Sequence, residues 1–439
     1  MSSVLDLLLA GLSHSIGWGV RGNWGHEHGA MIPGALSAMA IAARYGRADW
    51  QHRIAWFAFF GAMGWSFGGS MSYGLIIGKT KADTAPEIAY GFAMLFVIGF
   101  LWGAMGGAGA AMAAVLDSSR LRQFFPPLIC VFLAWTIRDL ADYDAPNWFD
   151  TDWAGVTLLL AAVAAYCAWR RRIDDACSLI LTMGVGWWAG FLLLTAALGL
   201  RMTPPRSDNW AGCIGMTAAM FVWFHRRRLG QINRAALLTA LFSGAGFSLG
   251  DVWQVLGPRT GIETNWWSLM EQSFGLLAGI GLYLAFRRYL GNCPPLEPET
   301  PHWSHAFSVW FLLVVVTYIN ISRNVSTAWL KSGALPESWY GLSAGAWFHL
   351  GYALLALTVT VLILRPGALV PENPLGKSQA LYIVFLWWIL LGDLSRYLPF
   401  PPGRMISEGI FFFNACLCTM LIARQESRHH RPAVHRFFV

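Results

Sequence analysis

Residues 19–39 read GVRGNWGHEHGAMIPGALSAM and place polar side chains between two apolar stretches. Between these stretches lie Arg21, Trp24, His26, Glu27 and His28, separated mainly by glycines. Because both flanking stretches are apolar enough to lie in a bilayer, the segment is typical of a short turn between two membrane helices. Charge this close to a hydrocarbon core needs a physical reason.

The composition of the whole chain indicates a polytopic membrane protein. Of its 439 residues, 56% are hydrophobic and only 13% are charged, and the mean hydropathy is +0.47. Soluble domains carry about 25% charged residues. We therefore expect a single transmembrane domain over residues 1–424 and a basic cytoplasmic tail over 425–439. Residues 1–16 lack a basic n-region, so they are predicted to be the first helix, not a cleaved leader.

The hydropathy pattern predicts an all-α fold of about fourteen transmembrane helices. The predicted spans are 3–20, 28–44, 53–75, 88–116, 123–141, 153–169, 176–199, 210–225, 233–254, 267–287, 303–323, 340–364, 378–397 and 406–424. Most of the 31 Lys and Arg residues lie in the loops after even-numbered spans, as in 170–172 and 226–228. Cytoplasmic loops are enriched in these residues, so both termini are expected to be cytoplasmic in a bacterial-type inner membrane.

The outward turns contain a weak internal repeat. A glycine-rich helix end recurs as GWGVRG at 17–22, GWSFGG at 64–69, GWWAGF at 186–191 and GFSLGD at 246–251. This pattern predicts seven pseudo-repeated hairpins, which favour a ring-like α/α arrangement; two bundles with a central cleft fit the same pattern. Close helix packing explains the glycines, and an aromatic belt explains the tryptophans, without any function.

Neither explanation accounts for the charges at the outer ends of the helices. Each charged residue lies either about 20–30 Å along its helix from the cytoplasmic start or close to the outer surface. At this depth hydrocarbon does not solvate an ionised group. We therefore expect one outward-facing polar basin. Its candidate catalytic residues are Glu27, Asp139, Asp251, Glu271, Asp393 and Glu408, and its candidate substrate-binding residues are Arg21, Trp24, His26, His28, Arg138, Trp253, Trp266, Gln272, Arg323 and Arg396.

The chemistry of these residue types favours a membrane-embedded carbohydrate-active enzyme, a glycoside hydrolase or glycosyl-transferring enzyme, working from the outer face. Paired carboxyl groups supply an acid and a base, and tryptophan faces beside them suit a sugar. The alternative is a transporter of a polar solute such as a sugar or organic acid, with proton coupling through a buried carboxylate. The scarcity of ionisable residues in the inner halves of the helices favours the enzyme.

The expected partners are a small polar or glycan substrate and membrane lipids. The net charge of +7 comes mainly from arginines in the loops, so it does not indicate a nucleic-acid partner. No cofactor or metal is predicted: the seven cysteines show no zinc spacing. His26 and His28, two residues apart, would point to different sides of a helix.

Overall fold

The computed structural model of the chain describes residues 4–24, 27–68, 71, 73–141, 148–204, 209–297, 302–365, 374–397 and 401–425. The predicted tail, 425–439, therefore lies almost entirely outside the described residues. Within them the fold is helical, with one two-stranded antiparallel ribbon. The all-α prediction is confirmed.

The helices are α1 (Val4–Trp24), α2 (Met31–Arg44), α3 (Ala48–His52), α4 (Ile54–Gly68), α5 (Gly74–Thr80), α6 (Ala85–Val115), α7 (Ser118–Arg122), α8 (Phe125–Leu140), α9 (Trp153–Arg170), α10 (Asp175–Gly190), α11 (Trp210–Arg226), α12 (Gly230–Gly250), α13 (Val252–Leu256), α14 (Trp266–Ala285), α15 (Trp303–Trp310), α16 (Thr317–Ile321), α17 (Ala344–Leu364), α18 (Pro374–Leu394) and α19 (Met405–Ala423). The strands are β1 (Ser338–Trp339) and β2 (Leu342–Ser343). Segments of π-helix cover Phe191–Ala197, Phe286–Leu290, Phe311–Val316 and Val325–Trp329. Short 3₁₀ segments cover Glu27–Ala30, Gly257–Thr260, Ser395–Tyr397 and Pro402–Arg404.

Among the described residues, nine helical segments are long and apolar enough to cross a membrane. The chain is therefore a multi-pass membrane protein, as predicted. Every one of the fourteen predicted spans contains a helix, but α1, α2, α4, α8 and α11 do not meet the same criteria. Length and composition thus do not support the count of fourteen crossings. Helix α2 shows why a predicted span fails these criteria. It has only 14 residues, and all of them except Arg44 are buried in protein, so its length and composition are not set by contact with lipid.

Six helices form the centre of the molecule. Contacts run from α1 to α2, α4, α6, α12, α14 and back to α1. The interior of this central bundle is aromatic: the ring of Trp18 lies 4.9 Å from that of Trp102 and 4.6 Å from that of Phe274. His14 is fully buried there and accepts a hydrogen bond from Trp18. Because these side chains are large and fully enclosed, they hold the six helices in one packed core.

Glycines permit the closest helix contacts. A Cβ atom added at Gly64 of α4 would lie 2.6 Å from the carbonyl oxygen of Met105 in α6. The ring of Trp65 packs against Gly106, and in the same way the ring of Trp187 in α10 packs against Gly212 in α11. Small residues are what membrane helices use to bring their backbones together.

Two groups of helices flank the central bundle. Helices α8, α9, α10 and α11 contact one another in order, and α11 contacts α6 and α12. Helices α15 to α19 form the second group, in which α15 contacts α4, and α18 and α19 contact α1 and α2. The most exposed span is α17, only 11% of which is buried. Its exposed leucines place it at the lipid-facing edge of the molecule.

Candidate functional site

Polar side chains gather where the last turn of α1 meets α14, α18 and α19. We call the following set the α1-end cluster: Arg21, Asn23, Tyr73, Glu271, Gln272, Asp393, Arg404, Ser407 and Glu408. The hydrogen bonds form two networks, one of Arg21, Tyr73 and Glu271 and one of the other six residues, and the networks adjoin at the consecutive residues Glu271 and Gln272 of α14. Elements far apart in sequence therefore bring these groups together at one end of the bundle.

Arg21 and Glu271 form a buried ion pair in this cluster. Arg21 Nη1 lies 3.1 Å from Glu271 Oε1, with side-chain exposures of 6% and 0%. The Tyr73 hydroxyl accepts a hydrogen bond from Arg21 and donates one to Glu271. The guanidinium carbon also lies 5.2–5.6 Å from the ring centres of Trp18, Tyr73 and Trp102. The carboxylate of Glu271 and the aromatic faces together compensate the Arg21 guanidinium for its lost hydration.

The glycines around Arg21 make room for this ion pair. A Cβ atom at Gly22 would lie 2.9 Å from Glu271 Cγ, and one at Gly29 would lie 2.7 Å from Arg21 Cγ. Any larger residue would displace the ion pair. The glycine spacers of the first outward turn therefore have a local packing reason.

Asp393 and Glu408 form a carboxyl pair joined by Asn23. Asn23 Nδ2 donates to Asp393 Oδ2 at 3.0 Å and to Glu408 Oε2 at 3.4 Å. The two residues are 0% and 2% exposed. Two carboxylates so close in a low-dielectric site cannot both be ionised without a large electrostatic cost. The pair is therefore suited to binding a proton.

The two carboxyl groups have different surroundings. Glu408 Oε1 lies 3.7 Å from Arg404 Nη1 and accepts a hydrogen bond of 3.3 Å from the Ser407 hydroxyl. Asp393 Oδ1 has no hydrogen-bond donor among the described residues. The positive charge of Arg404 thus stabilises an ionised Glu408 directly. Such inequivalent neighbours are how one carboxyl group is made an acid and its partner a base.

Asn23 is held in place from its other side. Its Oδ1 accepts hydrogen bonds from Asn265 Nδ2 at 3.2 Å and from Arg404 Nη1 at 3.3 Å. The Arg404 guanidinium lies 4.1 Å from the ring centre of Tyr397, and that of Arg396 lies 6.0 Å from it. Asn265 and Arg404 thus orient the amide group of Asn23 so that its nitrogen points toward the two carboxyl groups.

Gln272 connects α14 to α19 beneath the carboxyl pair. Its Nε2 donates to Ser268 Oγ at 3.2 Å and to the Ser407 carbonyl oxygen at 3.4 Å. Its backbone carbonyl accepts a hydrogen bond of 2.8 Å from the Ser15 hydroxyl. The side chain is 5% exposed, so its position is set by packing as well as by these hydrogen bonds.

Arg138 and Asp139 lie elsewhere, at one end of a separate cavity of about 290 Å³ between α4, α6 and α8 to α11. Arg138 Nη2 lies 2.8 Å from Asp139 Oδ1, and Arg138 Nη1 lies 3.9 Å from Asp152 Oδ1. His28 also lines this cavity, whereas no residue of the α1-end cluster does.

Asp251 occupies a third location. It is fully buried just after α12, within electrostatic reach of Thr80 and Lys81. Close in sequence, Trp253 is 46% exposed and stacks on Trp266 with ring centres 6.1 Å apart.

The remaining candidates are dispersed. Trp24 is buried and donates a hydrogen bond of 2.8 Å to Asn324, and Arg323 is exposed. Glu27 begins a 3₁₀ segment, but its side chain, like all of His26, lies outside the described residues. The structure therefore divides the expected single basin: Arg21, Glu271, Gln272, Asp393 and Glu408 come together with Arg396 nearby, and the other described candidates do not.

Sequence reasoning did not select four members of the cluster, Asn23, Tyr73, Arg404 and Ser407, or the adjacent Tyr397. Arg404 precedes Glu408 by four residues, which is the spacing of a helical ion pair and a usable signal. Asn23 belongs to an Asn-Trp pair that recurs in the sequence at 147–148, 209–210 and 265–266, and this pattern indicates no more than a helix start. No sequence pattern around the two tyrosines points to the cluster.

Within the described residues, no three His, Cys, Asp or Glu side chains are grouped closely enough to hold a metal ion. Comparison of the chain with protein-family models, with curated proteins and with solved structures yields no match. The α1-end cluster is thus interpreted from its own chemistry.

Proposed function

We propose that this chain is a membrane-embedded enzyme that uses Asp393 and Glu408 as an acid and base on a small polar or glycan substrate. The observation that carries the proposal is the position of Asn23, whose one amide nitrogen donates to both carboxyl groups. Arg404 beside Glu408 provides the asymmetry that assigns the roles: Asp393 donates the proton and Glu408 acts as the base or nucleophile.

A glycosidic bond is the substrate linkage that this pair fits best. Retaining glycosidases hold their two carboxyl groups about 5–5.5 Å apart, and inverting ones about 6.5–9.5 Å. Carboxyl oxygens that share a single amide donor favour the shorter spacing. Protonation of the leaving oxygen by Asp393 would accompany attack on the sugar carbon by Glu408 or by a water molecule that it activates.

Aromatic side chains near the cluster support a sugar as substrate. Asn265, which contacts Asn23, is followed directly by Trp266 at the start of α14. Trp266 stacks on Trp253, which is half exposed. This stacked pair of indoles, which includes the residue directly after Asn265, supplies an apolar face for a sugar ring.

The finer membrane arrangement is part of the proposal. The arginine-rich loops support cytoplasmic termini in a bacterial-type inner membrane and a site at the outer face. Alternation of the loops requires fourteen crossings, so α1, α2, α4, α8 and α11 would cross as well. The recurring glycine-rich helix ends support seven related hairpins.

A transporter of a polar solute is the second candidate, because several helices are interrupted. The segment from Trp303 to Trp329 alternates between α- and π-helix, and π-segments are frequent at functional sites. Interrupted helices beside buried carboxyl groups are typical of proton-coupled carriers. In that case Glu271 or Asp393 would carry the proton.

The deciding experiment measures both activities on one preparation. Purified protein is assayed against glycosides and lipid-linked sugars in nanodiscs and for solute uptake in proteoliposomes. We expect Asp393→Asn and Glu408→Gln to lower kcat by roughly 10²–10⁴-fold. Glu87→Gln, in an exposed ion pair with Lys79, is the matched control and should retain activity.

Each outcome has one interpretation. Hydrolysis without uptake, lost in both variants, supports the enzyme. Uptake without hydrolysis that disappears in Glu271→Gln supports the carrier and ends the enzyme proposal. Full hydrolysis in Asp393→Asn would show that the carboxyl pair is structural only.

A further inference from the structure

The cavity beside α8 is lined mainly by apolar side chains. Phe124, Leu128, Phe132, Trp135 and Arg138 line it and recur every three or four residues, so one face of α8 forms a continuous wall. The rise from the first to the last is about 21 Å at 1.5 Å per residue. That depth exceeds one leaflet's half of the roughly 30 Å hydrocarbon core.

The other walls are also apolar and adaptable. They include Met63, Met105, Met112, Met183, Met216 and Met220. Unbranched, polarisable methionine side chains adjust to ligands of irregular shape. A buried water molecule needs two to four polar partners, and apart from Ser66, His28 and the charged groups at one end the lining side chains are almost all apolar. The cavity is therefore suited to a hydrocarbon chain.

Charged groups occur at the end of the cavity where α8 finishes. Arg138 lies between Asp139 and Asp152, and the exposed fractions of the three side chains are 30%, 66% and 52%. This arrangement of one cation between two anions complements a zwitterionic lipid headgroup. The phosphate would pair with Arg138, and the ammonium group would pair with the aspartates. A purely anionic headgroup would be repelled by the two carboxylates.

The bilayer itself is on the other side of α8. Leu133 and Ile137, on the face away from the cavity, are 58% and 66% exposed. One helix thus separates the cavity from the surrounding lipid, which makes the lipid the nearest source of an occupant.

We propose that this cavity binds one phospholipid of the surrounding bilayer, with an acyl chain along α8 and a zwitterionic phosphate–ammonium head at Arg138, Asp139 and Asp152. The site is independent of the acid–base reaction, because no member of the α1-end cluster lines it. Loss of lipid binding and loss of catalysis are therefore separable.

Native mass spectrometry of the purified full chain tests the proposal, with phosphatidylethanolamine and phosphatidylglycerol added in separate arms. We expect one phosphatidylethanolamine per chain. Leu128→Trp in α8 and Met216→Trp in α11 each fill part of the cavity and should lower its occupancy about tenfold or more. Leu133→Trp makes the same substitution on the lipid-facing side of α8 and should retain the lipid.

Folding of each variant is checked by its melting temperature, which bound phosphatidylethanolamine should raise in the wild type and in Leu133→Trp only. Arg138→Gln leaves the apolar walls intact and should weaken phosphatidylethanolamine binding without affecting the cavity. The proposal is overturned if the wild type retains no lipid, if folded cavity-filled variants retain as much lipid as the wild type, or if phosphatidylglycerol binds as tightly as phosphatidylethanolamine.

Discussion

Among single residues, Arg21 and Glu271 show how strongly the interior depends on charge pairing. Both are buried, and their partners are each other, Tyr73 and aromatic rings. Removing one member of a buried ion pair leaves the other without compensation, at a cost of about 3–5 kcal/mol. Replacing both by apolar residues removes that unpaired charge.

We therefore expect Glu271→Leu to lower the free energy of unfolding by about 3–5 kcal/mol. The double variant Arg21→Met with Glu271→Leu should recover most of the loss. Denaturant unfolding of the purified protein measures both. The exposed pair of Lys79 and Glu87 is the control, and Glu87→Gln should cost less than about 1 kcal/mol. Equal costs for Glu271→Leu and Glu87→Gln would contradict a structural role for the buried pair.

Asp49 gives the clearest pH dependence outside the membrane-spanning helices. Burial alone would raise its pKa, but hydrogen bonds from Arg47 and from the Leu296 backbone N–H outweigh burial, and the net effect lowers the pKa below the ordinary value. Arg47 also donates to the carbonyl oxygens of Cys293 and Pro294. The pair thus joins the α2–α3 loop to the chain that follows α14.

A carboxyl group whose pKa is lower in the folded state stabilises the protein above its unfolded pKa, about 3.9, and this contribution is lost as the pH falls through the folded pKa. We expect Asp49→Asn to lower the melting temperature by a constant amount between pH 7 and pH 5. The difference from wild type should shrink below about pH 4. A difference that grows on acidification would show that the aspartate does not act through its charge.

At the scale of helices, glycine contacts decide which pairs pack closely. Gly64 of α4 faces Met105, Gly106 and Gly109 of α6 with no space for a side chain. Gly351 of α17 is also helical, but a Cβ atom there would meet nothing within 4 Å.

The same substitution should therefore have opposite effects at these two positions. Gly64→Ala overpacks the helix contact and should destabilise the protein by about 1–3 kcal/mol. Gly351→Ala gains helix propensity, up to about 1 kcal/mol. The melting temperatures of the two purified variants, each compared with the wild type, measure these effects. A Gly64→Ala protein as stable as Gly351→Ala would mean that the α4–α6 contact is looser than the structure indicates.

At the scale of the whole molecule, orientation is the prediction that connects fold to function. Ile262 precedes α14 and Ile173 follows α9, and the two are 50% and 66% exposed. In a background with the seven native cysteines replaced, Ile262→Cys should react with an impermeant maleimide in intact cells. Ile173→Cys, beside arginines 170–172, should react only after permeabilisation. The reverse pattern would place the α1-end cluster at the cytoplasmic face.

The membrane class, the helical content and the positions of the helices follow from the sequence alone, because burial in lipid demands long apolar stretches with internally satisfied backbones. The sequence also indicated that Arg21, Glu271, Asp393 and Glu408 lie near helix ends, since depth depends only on counting residues along a helix.

Only the tertiary structure decided which of those ends meet. Asp251 and Asp393 occupy similar positions along their helices, yet Asp393 faces Asn23 while Asp251 faces Thr80 and Lys81. Likewise Arg138 belongs to the apolar cavity and not to the cluster. Which helices are neighbours, and which face each presents, depends on packing between segments hundreds of residues apart, and hydropathy along the chain contains no information about those pairings.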